Sequence, residues 1–290
     1  MAETVVELAS AKLNLDLLVT GRTETGYHEL DSLVVFADIA DRLTFTPAET
    51  LSLRLDGPFA AGLGSDDNLV LRAARHLAEA ADHAPAVAIV LEKNLPVASG
   101  IGGGSADAAA TLRGLARLWS LDWSLQQLME LGLELGADVP VCVYGRPARL
   151  RGIGERLDPI RGLPELPLVL VNPGVPVATA AVFGTLELPT DALRRPVLPA
   201  HPSLGRFAVW LASSRNELEP AARSLAPVID RVLERLRAIE DCLLARMSGS
   251  GATCFGLFAD PGKAAAAAAS IRAAEPDWWC TAGTAKGEFR

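Results

Sequence analysis

Apolar and polar residues alternate near the start of the chain, and this alternation predicts a β-strand between Val5 and Val19. Successive side chains of a strand point to opposite faces, so the two rows have different surroundings. One row contains Leu13, Leu15 and Leu17, and the other contains Lys12, Asn14 and Asp16. A polar row of this kind is typical of a solvated strand edge, but it would also suit the wall of a cleft.

The rest of the chain divides into short apolar runs and longer segments with apolar residues every three or four positions. The short runs predict strands at 34–36, 51–55, 87–91, 139–144, 168–171 and 253–258. The longer segments predict helices at 68–82, 106–119, 124–134 with Ser124 as N-cap, 225–246 and 262–274. This order of elements predicts an α+β fold with mixed sheets. The segment 158–167, rich in Pro and Gly, predicts a boundary between domains 1–157 and 158–290.

The composition narrows the range of partners. The chain has 290 residues, half of them hydrophobic, and a formal net charge of −8. An acidic surface disfavours binding to nucleic acid and to anionic membranes. The four cysteines form no CxxC pair, which favours reduced thiols over a zinc site or disulfides. Because the N-terminus does not resemble a signal peptide and no apolar run is long enough to span a bilayer, we expect a cytoplasmic protein that is a monomer or a weak homodimer.

The most informative segment runs from Pro96 to Ala109 and has four glycines between residues 100 and 104, directly before a predicted helix. Glycines let backbone N–H groups approach a phosphate, and the helix N-terminus adds positive potential. A Walker-type loop would continue with Lys and Ser or Thr, whereas Ser105 and Ala106 follow here. A dinucleotide-binding loop would begin directly after its strand, whereas the predicted strand ends at Leu91. A helix capped by Ser105 without any ligand is the plainer alternative, but a cap needs no run of glycines.

Three segments together resemble the GHMP small-molecule kinases, the family of galactokinase, homoserine kinase and mevalonate kinase. They are Ala11-Lys-Leu-Asn14, Pro96–Ala109 and Ser248-Gly-Ser-Gly-Ala252. Further segments resemble one branch of this family, whose acceptor is a cytidyl diphosphate polyol. They are Thr20–Leu30, Leu135–Pro140, Gly152–Glu155 and Asn216–Pro220. The resemblance runs from about residue 6 to residue 283. Asp107 stands where many relatives have Asn, which leaves open whether it contacts the nucleotide or caps the helix.

The resemblance implies a two-domain fold with mixed sheets, a nucleotide and substrate cleft between the domains, and transfer of the γ-phosphoryl group of ATP to an alcohol. The residues implied to bind ATP are Pro96, Ala98, Gly100, Ile101, Gly102, Gly103, Gly104, Ser105 and Ala106. Mg²⁺ is implied as the partner of the ATP phosphates. Ser105 is its candidate protein ligand, with helix capping as the alternative role.

Lys12 and Asp138 are the catalytic residues that the resemblance implies. Asp138 would be the general base that takes the proton from the acceptor hydroxyl, and Lys12 would pair with it and orient that hydroxyl. From the residues alone, a turn aspartate bonded to its own backbone and a solvated lysine are the commoner interpretations.

The resemblance also implies a set of substrate-binding residues, namely Asn14, Tyr27, His28, Phe183, Gly249 and Ser250. Tyr27 would stack on the cytosine, His28 would hydrogen-bond its edge, and Phe183 would supply the opposite face. Without the resemblance, Tyr27 and His28 suit a surface hairpin, and the segment 248–251 suits a tight turn.

Other functions stay open at this point. Another GHMP kinase, acting on a sugar, homoserine or a mevalonate-type alcohol, would have no evident use for a turn that binds a base. A nucleotide-binding sensor without chemistry would be expected to lack Lys12 or Asp138, and both are present. A Rossmann-type oxidoreductase is disfavoured by the position of the glycine loop.

Overall fold

The structure is a computed structural model that describes residues 4–24, 26–64, 68–186 and 196–287. Thr25 of the Thr20–Leu30 segment lies outside the described residues. The strands are β1 (Val5–Asn14), β2 (Leu18–Arg22), β3 (His28–Pro47), β4 (Ser52–Asp56), β5 (Val87–Glu92), β6 (Ala148–Gly152), β7 (Arg156–Pro159), β8 (Leu166–Asn172), β9 (Cys242–Met247), β10 (Cys254–Phe258) and β11 (Trp279–Ala285). The helices are α1 (Leu69–Ala80), α2 (Gly103–Leu118), α3 (Leu125–Leu135), α4 (Val139–Tyr144), α5 (Thr179–Gly184), α6 (Leu204–Ala212), α7 (Glu219–Leu225), α8 (Val228–Arg237) and α9 (Pro261–Ala274).

The chain forms two compact units that are interleaved along the sequence. Unit 1 takes in the described residues of Met1–Ala11, Ala40–Val97 and Gly102–Gly145. Unit 2 takes in those of Lys12–Ile39, Ala98–Ile101 and Arg146–Arg290. Because the units are not consecutive in sequence, they do not test whether two sequence domains meet at residue 158, and that boundary stays a prediction.

Unit 1 packs helices on a small sheet. β5 pairs antiparallel with the end of β3 and parallel with β4, so the sheet is mixed as the sequence predicts. α2 crosses β3 closely at Gly114, where an added Cβ would overlap the ring of Phe45. α1 and α4 both pack against α2, which is buried along most of its length. The predicted helices at 68–82, 106–119 and 124–134 are confirmed as α1, α2 and α3. The predicted cap of α3 is confirmed as well, since Ser124 and Gln127 form a capping box.

Unit 2 is built on an antiparallel sheet with the order β11, β8, β10, β9. β8 and β10 are buried along their whole length, as expected for inner strands with both faces covered. The core beneath them comes mainly from α7, α8 and α9. The first part of β3 pairs with β2 and β6. No helix in the described ranges is both long enough and apolar enough to span a bilayer.

The predicted strand at 139–144 is wrong, because these residues form the helix α4. Their β-branched side chains favour a strand locally, but Pro140 occupies the first turn of a helix, where its missing N–H costs nothing. Gly145 then ends the helix in the left-handed conformation, with φ of 64°. Residues Val139 to Val143 are all buried, so packing within unit 1 overrides strand propensity.

The predicted helix at 225–246 is also wrong in its second half. The apolar period of Ile229, Val232, Leu233 and Leu236 ends at Arg237, and the helix α8 ends there with it. Residues Cys242–Met247 form β9 and pair antiparallel with β10. The turn between them has neither Gly nor Pro to mark it, and the sequence pattern therefore missed the stop.

Candidate active site

Both rows of the first strand are buried, so the interpretation of Lys12 as a solvated edge residue is wrong. Lys12 and Asn14 are each 4% exposed, and Asp16 is fully buried. The backbone N–H of Lys12 donates to the carbonyl of Ile101 at 3.0 Å, which joins this strand to the first glycine loop within unit 2. The polar row of β1 therefore lies beside the predicted phosphate-binding segment.

Asn14 has a side-chain orientation that its hydrogen bonds determine. Its Nδ2 donates to Ser32 Oγ at 2.7 Å, and Ser32 Oγ in turn donates to the carbonyl of Asp16 at 2.6 Å. The amide oxygen therefore faces the opposite way, towards Gly249, where an added Cβ would lie 3.3 Å from Asn14 Oδ1. Two of the predicted substrate-binding residues, Asn14 and Gly249, are thus neighbours in unit 2.

The two glycine motifs, far apart in sequence, interlock within unit 2. A Cβ on Gly100 would lie 2.6 Å from the carbonyl oxygen of Ser248 and 2.7 Å from the backbone nitrogen of Gly251. Ser248 Oγ donates to the carbonyl of Gly100 and accepts from the backbone N–H of Asn14, each at 3.1 Å. Both glycines also have positive φ, 75° at Gly100 and 85° at Gly251. Only glycine combines this conformation with so close an approach.

The second glycine motif is held from outside by the Asn216–Pro220 segment. Asn216 Nδ2 donates to the carbonyls of Met247 at 2.9 Å and of Gly249 at 2.7 Å, while its Oδ1 accepts from Leu218 N–H at 3.0 Å. Glu219 accepts from the backbone N–H of Met247 at 3.2 Å. This segment resembles the family motif in sequence, and in the structure its side chains hold the backbone of the loop.

The first glycine loop leads into α2, whose first residues belong to unit 1. Pro96 is buried, and Ala98 has a φ of 50°, in the left-handed region that is unusual for a residue with a Cβ. Gly102 is the N-cap of α2 with φ of 65°, and its carbonyl accepts from Ala106 N–H at 2.8 Å. Ser105 therefore lies inside the first turn, and the capping role proposed for it is wrong. Gly103 and Gly104 begin the helix without side chains, which leaves the first-turn amides accessible.

A buried cluster of three charged residues lies under this first turn. Lys93 Nζ donates to Asp41 Oδ2 at 2.5 Å and to Asp107 Oδ2 at 2.6 Å, and all three residues are at most 3% exposed. Asp41 Oδ1 accepts from the backbone N–H groups of Asn94 and Leu95, at 2.5 and 2.8 Å. A Cβ on Gly103 would lie 3.2 Å from Lys93 Nζ. The cluster thus supports the point where the glycine loop becomes a helix.

The charges in this cluster do not balance, since one ammonium lies between two carboxylates. Burial by itself raises the pKa of Asp107, Lys93 lowers it and Asp41 raises it again, with a net result of about 7. Burial lowers the pKa of Lys93, but the charges of Asp107 and Asp41 outweigh this and raise it. Asp107 Oδ1 has no hydrogen-bond partner. Asp107 is therefore not a cap of α2; its contact with a nucleotide stays open.

Asp138 lies at the start of α4 in unit 1, at the N-cap position. Its side chain makes no capping bond to α4, and whether it is instead a turn aspartate bonded to its own backbone stays open. Its side chain is partly exposed. Lys12 belongs to unit 2, and the pairing of Lys12 with Asp138 stays a prediction.

An open cavity of about 430 Å³ in unit 2 contains the predicted base-binding residues. Its lining residues are Arg22, Gly26, Tyr27, His28, Leu30, Ile153, Ala180, Phe183 and Gly184. Tyr27 is 65% exposed. The rings of His28 and Phe183 stack with centroids 5.0 Å apart and an angle of 26° between their planes. The structure thus brings Tyr27, His28 and Phe183 together around one cavity.

The cavity is connected to the second glycine motif by a hydroxyl pair. Thr179, at the start of α5, has its Oγ1 2.8 Å from Ser250 Oγ. Phe183 lies one turn further along the same helix. α5 therefore joins the aromatic cavity to the glycine motif within unit 2.

Sequence reasoning missed three charged residues of these sites, namely Lys93, Asp41 and Arg22. For Lys93 a signal existed, because the inward positions of β5 are Val87, Ile89 and Leu91, and the same period of two puts Lys93 on the buried face. Asp41 and Arg22 had no comparable signal. Their roles depend on which strands pair, which the local pattern does not contain.

The comparisons with known proteins agree with this geometry. Residues 68–146 match the model of the GHMP kinases N terminal domain, and residues 191–277 match that of the GHMP kinases C terminal domain. The 4-diphosphocytidyl-2-C-methyl-D-erythritol kinase of Paramagnetospirillum magneticum is 52% identical over 271 residues, which cover 93% of this chain and 95% of the relative. A crystal structure of 4-(cytidine 5′-diphospho)-2C-methyl-D-erythritol kinase matches with a TM-score of 0.79 at 38% identity, over 98% of this chain and all of that one.

Homoserine kinase from Cytophaga hutchinsonii shares the fold alone, with a TM-score of 0.72 at 17% identity over 99% of this chain and 95% of that one. Two family models together match more than half of the chain. The interlocked glycine motifs, the glycine-led helix and the relatives at about 50% identity lead to one conclusion: this chain belongs to the GHMP kinase family.

Proposed function

We propose that this protein transfers the γ-phosphoryl group of ATP to the 2-hydroxyl of 4-diphosphocytidyl-2-C-methyl-D-erythritol. The reaction would belong to non-mevalonate isoprenoid precursor biosynthesis. ATP-dependent phosphorylation of a small molecule follows from the family, and the choice of acceptor is the finer part of the proposal. Relatives at 50–54% identity over nearly the full chain bear this enzyme's name, which supports that choice.

The ATP phosphates are proposed to bind the segment from Pro96 to Ala106. Gly102, Gly103 and Gly104 have no side chains of their own to cover the backbone N–H groups of the first turn of α2, and a helix N-terminus favours anions. Gly100 and Ile101 are held by Ser248 and Lys12 through backbone contacts. The binding segment is therefore preorganised rather than loose, which lowers the ordering cost of binding.

The residues present fit a magnesium ion that arrives with the nucleotide. A Mg²⁺ ion that is bound through phosphates needs only one or two protein ligands, because phosphates and waters supply the others. Ser105 is not used as a helix cap, and its hydroxyl is the proposed protein ligand. When bound, the ion would screen the charge of the phosphates.

The acceptor hydroxyl is proposed to be deprotonated by Asp138 and oriented by Lys12. Asp138 is partly exposed at the start of α4, so its carboxylate can reach a substrate. Lys12 is buried beside the glycine loop, where its charge would stabilise negative charge that develops on the attacking oxygen. The acceptor is a tertiary alcohol and a weak nucleophile, so positioning should contribute much of the rate enhancement.

The observation that carries the choice of acceptor is the aromatic cavity beside the second glycine motif. Tyr27, His28 and Phe183 surround a space of about 430 Å³ that suits a flat base. Thr179 and Ser250 link this cavity to the glycine motif, where Asn14 and Gly249 are proposed to hold the rest of the acceptor. A sugar, homoserine or mevalonate would leave such a cavity unused.

The test is ADP release by the purified protein with Mg-ATP and one acceptor at a time. We expect turnover with 4-diphosphocytidyl-2-C-methyl-D-erythritol and none above background with mevalonate, homoserine or galactose. Turnover with another acceptor alone would refute the choice of substrate and keep the kinase. ATP binding without turnover of any acceptor would favour a nucleotide sensor instead.

Asp138→Asn tests the proposed base. Loss of general-base catalysis should lower kcat by about 100-fold to 10,000-fold, with little change in the KM for either substrate. Asp122→Asn, an exposed aspartate on a loop, is the matched control and should keep wild-type kinetics. Near-normal turnover of a folded Asp138→Asn variant would contradict the role of Asp138.

A further inference from the structure

Arg22 and His28 form a pair at the turn end of the β2–β3 hairpin. They are direct partners across the two strands, and both line the aromatic cavity. Arg22 Nε donates to His28 Nε2 at 3.2 Å. The family resemblance assigns a role to His28 but none to Arg22.

This hydrogen bond has only one possible direction. A guanidinium group has five N–H donors and no acceptor, and it stays protonated in proteins. His28 Nε2 must therefore be the acceptor and cannot hold a proton. A neutral imidazole has one N–H, which in this arrangement is at Nδ1.

The surroundings of His28 also keep its ring neutral. Burial, followed by the positive charge of Arg22, lowers the pKa of His28 below its ordinary value of 6.5. A protonated ring would place two positive charges side by side and lose the hydrogen bond to Arg22. The ring of Phe183 stacks on one face of His28, and this leaves the ring edge of His28 for a hydrogen bond to a ligand.

From this geometry we infer that Arg22 is a positioning residue that makes His28 a hydrogen-bond donor, and that the cavity selects bases by an acceptor atom. In cytosine the acceptors on the ring edge are O2 and N3, whereas the exocyclic amino group is a donor. The inference rests on the proposed function in so far as the ligand is a cytidine nucleotide. The tautomer of His28 does not depend on it.

The tautomer can be measured without any ligand by long-range ¹H–¹⁵N correlation spectra of the four histidines. The loss of one spin system in His28→Gln assigns the signals. We expect Nδ1 to be protonated and Nε2 unprotonated at pH 7. In Arg22→Met, His28 should change towards the Nε2–H form that a free imidazole prefers, and its pKa should rise towards 6.5. Arg54→Met, which removes an exposed arginine in the middle of β4, should leave His28 unchanged.

Affinity for cytidine 5′-diphosphate, measured by titration calorimetry, gives the second readout. Loss of the preset donor should weaken binding to Arg22→Met about threefold to tenfold, the value of one ordinary hydrogen bond. In turnover, the KM for the cytidyl acceptor should rise by the same factor, while the KM for ATP and kcat stay unchanged. A structural role of Arg22 would instead lower the unfolding midpoint and alter all three parameters.

A nucleotide that lacks the amino group, pyrimidin-2-one riboside 5′-diphosphate, separates the two ways of contacting the base. It retains both acceptors, so Arg22→Met should weaken its binding by the same factor as that of cytidine 5′-diphosphate. A loss seen only with the cytidine compound would mean that His28 accepts from the amino group, and the inference would be wrong.

Different results would overturn the inference about Arg22 and His28 and the proposed function. If the protein phosphorylates the cytidyl acceptor but His28 has the Nε2–H form, or keeps its tautomer in Arg22→Met, this inference alone is overturned. If His28 has the Nδ1–H form but cytidine 5′-diphosphate does not bind, the cavity does not take this base. The proposed function is then overturned, and the selection of cytosine by His28 with it.

Discussion

Replacing Lys93 with methionine tests whether the buried cluster of unit 1 depends on its ammonium group. The variant keeps most of the apolar side chain but leaves the carboxylates of Asp41 and Asp107 facing each other, at most 3% exposed. Removing one partner of a buried ion pair costs about 3–5 kcal/mol, because an uncompensated charge stays in the interior. We therefore expect Lys93→Met to lose at least about 3 kcal/mol of its free energy of unfolding at pH 8.

Asp107→Asn changes the same cluster in the opposite direction. The amide keeps an oxygen that can accept from Lys93, and it removes the second negative charge. In the wild type, burial and Asp41 raise the pKa of Asp107 from 3.8 to about 7, against the effect of Lys93. The folded protein therefore holds a proton that the unfolded chain releases near pH 4. The stabilisation by this proton is complete below pH 3.8 and is lost as the pH rises through about 7.

The magnitude follows from the same values. One pKa unit corresponds to about 1.4 kcal/mol, so wild type should lose about 2–3 kcal/mol relative to Asp107→Asn between pH 5 and pH 8. Urea unfolding followed by tryptophan fluorescence at both pH values measures this difference. Asp122→Asn, at an exposed position, is the control and should match wild type. The reasoning fails if Asp107→Asn destabilises the protein at pH 8 as much as Lys93→Met does.

Two further predictions concern the glycine loop and the aromatic cavity. Gly100→Ala should raise the KM for ATP at least about tenfold, because its Cβ would overlap the backbone of the second glycine motif. Gly174→Ala, with φ of 76° against 75° and no atom within 4 Å, has the same backbone strain without the overlap and should bind ATP normally. Tyr27→Ala should raise the KM for the cytidyl acceptor about fivefold to 150-fold through lost stacking, with the KM for ATP unchanged. An unchanged acceptor KM in that variant would remove Tyr27 from the base site.

Much of the fold was predictable from local pattern, and the failures share a cause. Elements with clear periodicity and terminal signals, such as α3 with its Ser124 cap, form where the pattern predicts. The prediction at 139–144 fails because a run of β-branched residues favours a strand when it is taken in isolation. Only packing within unit 1 makes it the helix α4. The predicted end of α8 is wrong because no Gly or Pro marks the turn before β9.

The residues of the candidate site also divide into those that the sequence pattern reveals and those that only the structure reveals. The glycines and aromatic residues could be predicted from the sequence, because these residue types by themselves suggest phosphate binding and base binding. The charged residues that support them could not be predicted, since Lys93 and Asp41 meet only when distant parts of the chain pack together and Arg22 meets His28 only in the register of the β2–β3 hairpin. Family resemblance named Asn216 as part of a motif, but only the structure shows that its amide holds the carbonyls of a loop.

A loop made of glycines cannot specify its own conformation, and this limits how the site can be built. Each glycine adds backbone freedom that folding must remove, so the constraint has to come from neighbouring side chains. In unit 2 that constraint comes from Ser248, which bonds Gly100, and from Asn216, which bonds Gly249. These contacts use carbonyl groups and leave backbone N–H groups available, which are the donors that a phosphate needs. If the glycine motifs bind ATP as proposed, the polar residues around them act on it through the shape of the loops, without having to contact it.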